Sequence, residues 1–111
     1  MIDWDRISEL RDDVLGDDFA EVFGLFLEEV EEVLNRLRDA PDPSTFEADY
    51  HFLKGGAINL GFSELANACS IAEKTAAAGT PQDVDTQSIH SIYQSSLDAF
   101  MMRAGEFGLA A

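Results

Sequence analysis

A chain of 111 residues, 46% hydrophobic with eight phenylalanines, is long enough to bury a core and too apolar to stay disordered. Its 22 acidic residues against 7 basic ones give a formal net charge of −15. That balance argues against nucleic acid or anionic lipid as a partner, since both are bound through clustered Lys and Arg.

Hydrophobic periodicity is helical throughout, and no segment alternates with period two for long enough to make a strand. The opening MIDWDRISEL is acidic from its third residue and lacks the apolar run of a signal peptide. No apolar stretch approaches the ~20 residues that span a membrane, so a soluble, cytoplasmic chain is expected. A first helix is predicted over about residues 4 to 14, with Trp4, Ile7, Leu10 and Val14 on one face and Gly16 ending it. Asp17 and Asp18 then offer N-cap oxygens and favourable charge to the next helix. That second helix, about 18 to 39, carries an apolar stripe from Phe19 through Phe23, Phe26, Val30 and Leu34 to Leu37. Glu21, Glu28, Glu29, Glu31 and Glu32 form its opposite, solvated face.

The segment APDPS breaks the pattern, with Asp42 placed as N-cap and Pro43 at the first helical position of a third helix. This helix runs to about Leu60, and Gly61 is its natural C-terminal cap. A fourth follows at once, from Ser63 to about Ala78, with Leu65, Ala68, Cys69, Ala72 and Ala76 inward. The lone Cys69 excludes an internal disulfide and is read as a small buried hydrophobe. Gly79, Thr80 and Pro81 form the next break. The last helix spans about 85 to 104, burying Ile89, Ile92, Tyr93, Leu97, Phe100 and Met101. Short connections make neighbouring helices antiparallel, so the expected fold is all-α: an up-down four-helix bundle with a short extra N-terminal helix, one domain over 1–111. For Phe107 and Leu109 in the tail, folding back over the bundle and fraying both stay open.

The third helix carries the chemistry. On a wheel of about 100° per residue, Phe46, Tyr50, Leu53, Ala57 and Leu60 fall within roughly 40° of one direction, which is the core. His51 lies about 140° away and therefore points to solvent, with Gly55 one turn further on the same outer surface. Lys54, Glu47 and Ile58 flank that surface on one side, and Gly56 and Phe52 on the other. Glycine inside a helix costs about 1 kcal/mol relative to alanine, so the pair Gly55–Gly56 requires a reason. Gly56 suits close approach of a neighbouring helix. Gly55 faces away from the core and removes the side chain that would stand beside His51. An open imidazole with an ammonium group nearby is arranged for chemistry with an anion.

The stretch HFLKGGAINLG, with His51, Leu53, Lys54 and Gly55 followed by Leu60 and Gly61, resembles the motif of histidine-containing phosphotransfer (HPt) domains, the relay domains of multistep two-component signalling. The H-x-x-K-G core is short, but the length, acidity and helix order extend the resemblance over nearly the whole chain. It implies that His51 accepts a phosphoryl group from the aspartyl phosphate of a response-regulator receiver and relays it to another receiver. Histidine titrates near ~6.5 in model peptides, so a neutral nucleophilic ring is available near physiological pH. Lys54 would balance phosphoryl charge, Gly55 would admit the partner's loops, and Ile58, with Phe52 and Glu47, would contribute to docking. Whether Phe52 lies under a neighbouring helix or joins the docking surface stays open. Gly56 departs from the serine or alanine common in the family.

The resemblance further implies a bacterial phosphocarrier rather than an enzyme with its own ATP site, and no phosphate-binding G-x-x-x-x-G-K-[ST] loop is present. No cofactor or metal is expected on this chain, the Mg²⁺ belonging to the receiver. A hybrid histidine kinase is a further candidate partner, and a monomer is expected. His90 lacks a clearing glycine and a lysine three residues on, and is read as a surface or boundary residue. The alternative is a non-catalytic helical bundle that binds and sequesters a receiver or a histidine kinase.

Overall fold

The computed structural model describes residues 2–107. Its principal elements are α1 (Trp4–Glu9), α2 (Phe19–Asp39), α3 (Phe46–Leu60), α4 (Ser63–Ala77) and α5 (Thr86–Met101). Among the described residues there is no strand, only an isolated antiparallel bridge between Ile2 and Phe62. α2 packs against α3 and α5, and α4 against the same two, so the four long helices close into a bundle with α1 laid against α3. The architecture is the expected all-α one.

Local chemistry sets most of the boundaries. Asp3 Oδ1 accepts from the Arg6 amide at 3.1 Å and starts α1, and Asp85 Oδ1 accepts from the Ser88 amide at 3.0 Å and starts α5. Asp42 Oδ1 accepts from the Ser44 amide at 3.1 Å, with Pro43 next in line, and opens a 3₁₀ turn (Pro43–Thr45) that feeds α3. Gly61 ends α3 in the left-handed region at φ 73°, where a β-carbon is disfavoured. The same position meets a strap from the chain start: the Asp3 amide donates to the Gly61 carbonyl at 2.6 Å, and a β-carbon on Gly61 would stand 2.8 Å from Asp3 O.

Three expectations need correction. The first helix does not run on to residue 14: after Glu9 it widens into a π-helical segment (Leu10–Leu15), followed by a 3₁₀ turn (Gly16–Asp18). The wider i→i+5 turn rotates later positions off the apolar stripe. Val14 is consequently 62% exposed, and Leu15 takes its place against the core. Asp18 precedes α2 but its side chain makes no capping hydrogen bond, because the preceding 3₁₀ turn already holds its backbone in helical geometry. α5 ends at Met101, and the chain continues into a separate 3₁₀ turn (Ala104–Phe107) that buries Ala104. The alternatives left for Phe107 and Leu109 concern side chains outside the described residues.

The core centres on aromatic rings. Phe100 of α5 stacks on Phe23 at 4.8 Å and on Trp4 at 5.7 Å between centroids, and lies 6.1 Å from Phe62. Removing such a fully buried ring costs about 3–5 kcal/mol. On α2 the predicted polar face is exposed, but Glu31 also accepts the Tyr93 hydroxyl at 2.9 Å. α2 and α3 approach so closely that a β-carbon on Gly56 would stand 2.7 Å from Val30 Cγ2.

Candidate functional site

Along α3 the wheel reading holds: Phe46, Tyr50, Leu53, Ala57 and Leu60 are all buried, and the His51 side chain is 69% exposed. The tight turn at Gly61–Phe62 sends α4 back antiparallel beside α3. It brings Glu73 opposite His51 and Lys54. One carboxylate serves both: His51 Nδ1 lies 2.9 Å from Glu73 Oε2, and Lys54 Nζ lies 2.9 Å from Glu73 Oε1.

The charge state of this cluster follows from its bonds. The Lys54 ammonium holds the Glu73 carboxyl below the usual carboxylate range; partial desolvation opposes this, and the bond from His51 adds to it. An ionised carboxylate only accepts, so the proton in the shared bond sits on His51 Nδ1. That leaves Nε2 as the ring nitrogen with no partner among the described residues.

Space around the ring is open on both sides of α3. Toward α4, His51, Glu73, Glu47, Ala48 and Ser44 line a recess of about 400 Å³. Toward α2, a groove of about 230 Å³ is bordered by Phe26, Val30, Phe52, Gly55, Gly56 and Asn59. A β-carbon on Gly55 would meet nothing within 4 Å, so nothing inside this chain requires glycine there. Gly56 is the reverse, filled by Val30. Phe52, left undecided from sequence, borders the α2 groove and stays 45% exposed. Ile58 is 52% exposed and lines neither recess.

Glu73 is the residue that the sequence reading missed. The available signal was geometric: His51 and Glu73 stand at equal separations from Phe62 in the turn, so an antiparallel pair must face them. His90 needs a correction. It is buried, 8% exposed, between α2 and α5, with Nε2 2.9 Å from Asn35 Oδ1 and 3.1 Å from Arg38 Nη1. Polar partners on α2 are what allow the ring inside. Cys69 is fully buried, and burial pushes its thiol up to about 12, the behaviour of an inert core residue.

Among the described residues, no group of three or more His, Cys, Asp or Glu is placed to hold a metal ion. No described helix is long and apolar enough to cross a membrane. No curated protein and no solved structure matches the chain. The family model of the Hpt domain matches residues 21–101, from the first turn of α2 to the end of α5, a span that contains the whole His51, Lys54 and Glu73 cluster. With that match over most of its length, the chain belongs to the Hpt domain family, whose members carry out histidine phosphotransfer in phosphorelays.

Proposed function

We propose that this protein is a phosphoryl carrier that accepts on Nε2 of His51 from a receiver's aspartyl phosphate and passes the group to another receiver. The observation that carries the reading is the bond from Nδ1 to Glu73, which fixes the ring with its free nitrogen at an exposed surface. In the transfer, the Nε2 lone pair forms the N–P bond, the P–O bond to the receiver's aspartate breaks, and its carboxylate leaves. The ring gains positive charge as this happens, and the Glu73 carboxylate faces it across the Nδ1 proton. The receiver supplies the Mg²⁺ that steadies the phosphoryl oxygens, and this chain contributes no cofactor.

Lys54 Nζ shares the Glu73 carboxylate with His51 Nδ1, and in this reading it turns from Glu73 to the phosphoryl group once the group arrives. Gly55 supports the same reading from another direction. An exposed helical glycine with empty space above it stabilises nothing in its own chain, so the space serves a molecule that approaches from outside. Phe52 and Glu47 border the two recesses and Ile58 is exposed on the same helix, and all three are assigned to docking of the receiver. A monomer acting in the cytoplasm, where its receivers reside, completes the reading.

Phosphoryl transfer from a panel of phosphorylated receivers to the wild-type chain and to His51→Gln tests it. Acid-labile, base-stable label on wild type alone is expected. Binding of a receiver without any label would point instead to a bundle that sequesters its partner. A Gly55→Leu chain is expected to fold normally and to lose transfer, and unaltered transfer would show that access over Gly55 is not needed.

A further inference from the structure

The basic side chains of this protein are almost all engaged within it. Arg6 pairs with Glu9, Arg11 with Asp12, Arg36 with Asp49, Arg38 with Asp39, Lys54 with Glu73 and Arg103 with Glu106, at N–O distances of 2.6 to 3.0 Å. Of the seven basic residues, that leaves Lys74 without such a bond among the described residues. Two carboxylates beside the functional site are in the opposite position. Glu29 borders the groove toward α2 and Glu47 borders the recess toward α4. Both are exposed, and neither meets a cation among the described residues. The outer surface of α3, with His51 and Gly55, runs between them.

We infer that the receivers served by this protein carry basic side chains on both sides of their phosphorylated aspartate, one set against Glu29 and one against Glu47, and that these charges decide which receiver is chosen. The inference rests on the acceptor reading of His51 and names the chemistry of the partner. A carboxylate covered by a partner loses water, and that cost is offset only where a cation meets it. The chain does not supply that cation, since Lys54, Arg36 and Arg38 are each held by an acid of their own. With a net charge of −15, it also repels an acidic receiver at long range.

The surroundings of each carboxylate narrow the match. Glu29 shares its groove with Phe26, Val30 and Phe52, so the group that fits there has a long apolar stem and a charged tip, as lysine and arginine do. Glu47 stands beside Ser44 and Ala48 in a wider, more polar recess, where a hydrated cation is accommodated. Charges at the rim of an interface act mainly on encounter and on the rejection of wrong partners, less on the strength of the final complex. A relay domain that must release each receiver after transfer gains selectivity in this way without tight binding.

The test measures single-turnover transfer from phosphorylated receivers that differ in the lysines and arginines around their aspartate. Wild type is compared with the double variant Glu29→Gln/Glu47→Gln and with Glu28→Gln/Glu32→Gln, at low and high salt. Glu28 and Glu32 line a separate recess beside Asn35, which faces His90 of α5, so the second pair removes the same charge away from His51. Receivers with the most basic surroundings are expected to label wild type fastest. With these, Glu29→Gln/Glu47→Gln is expected to lose about tenfold in transfer efficiency at low salt, in the half-saturating receiver concentration rather than the limiting rate, and the loss is expected to shrink at high salt. Glu28→Gln/Glu32→Gln is expected to stay within about twofold of wild type, as rim charges far from a contact do. A ranking indifferent to basic residues, or equal losses for both pairs, with His51 still labelled, would overturn the inference and leave the acceptor reading intact. Absence of label on wild type would remove both.

Discussion

The two histidines occupy regions built on opposite plans. His51 stands 69% exposed on the α3–α4 face, held through Nδ1 by an anion, with Nε2 left without a partner among the described residues. His90 is 8% exposed between α2 and α5, and there it is Nε2 that meets Asn35 and Arg38. Both rings are fixed by neighbours on a second helix. What separates a nucleophile from a structural residue is therefore which nitrogen the neighbours leave unused, and whether space adjoins it.

Paired substitutions test that contrast most severely. His51→Gln is expected to abolish phosphoryl label completely while changing stability by less than about 0.5 kcal/mol, as usual for exposed sites. His90→Ala is expected to do the converse, keeping label and losing about 1–3 kcal/mol by thermal unfolding, because a buried ring and its polar contact with α2 are lost. Comparable loss of label in both would erase the distinction.

The adjacent glycines sharpen the same division of α3 into an outer and an inner surface. Gly56→Ala must push Val30 aside and is expected to destabilise by about 1–3 kcal/mol. Gly55→Ala has free space and is expected to stabilise by up to about 1 kcal/mol through helix propensity. Denaturant midpoints that move in the same direction for both would contradict the packing of α2 on α3.

The smallest effect lies in acid. A carboxyl held below its ordinary value stabilises the fold above its unfolded pKa, ~4.3 for glutamate, and loses that contribution as pH falls through its lower folded value. Acidification into this range is expected to release His51 and Lys54 together, seen as simultaneous changes in their side-chain nitrogen resonances. Separate transitions would show that Glu73 does not bridge them.

Much of this was legible in residue order, for physical reasons that differ by element. The long helices are amphipathic enough that the face of α3, and with it the exposure of His51, followed from a wheel. Glu73 did not, because its role depends on how α4 aligns with α3 across Gly61, and nothing within α4 marks that glutamate among its neighbours. Val14 was misplaced because apolar spacing presumes a constant turn, and the π-helical segment changes it. His90 was misjudged since its own helix shows only its apolar neighbours, while its polar partners come from α2.

The strap of Ile2 and Asp3 over Gly61 and Phe62 bears on how the molecule breathes. That contact closes a loop of more than half the chain, whereas α3 and α4 form a local hairpin. Strap and α1 can lift as one unit at lower free energy than global unfolding, leaving the hairpin formed. In native-state hydrogen exchange the Asp3 amide should then surrender its protection before that of Leu53. The His51–Glu73–Lys54 cluster lies wholly on the hairpin, so its geometry outlasts such openings.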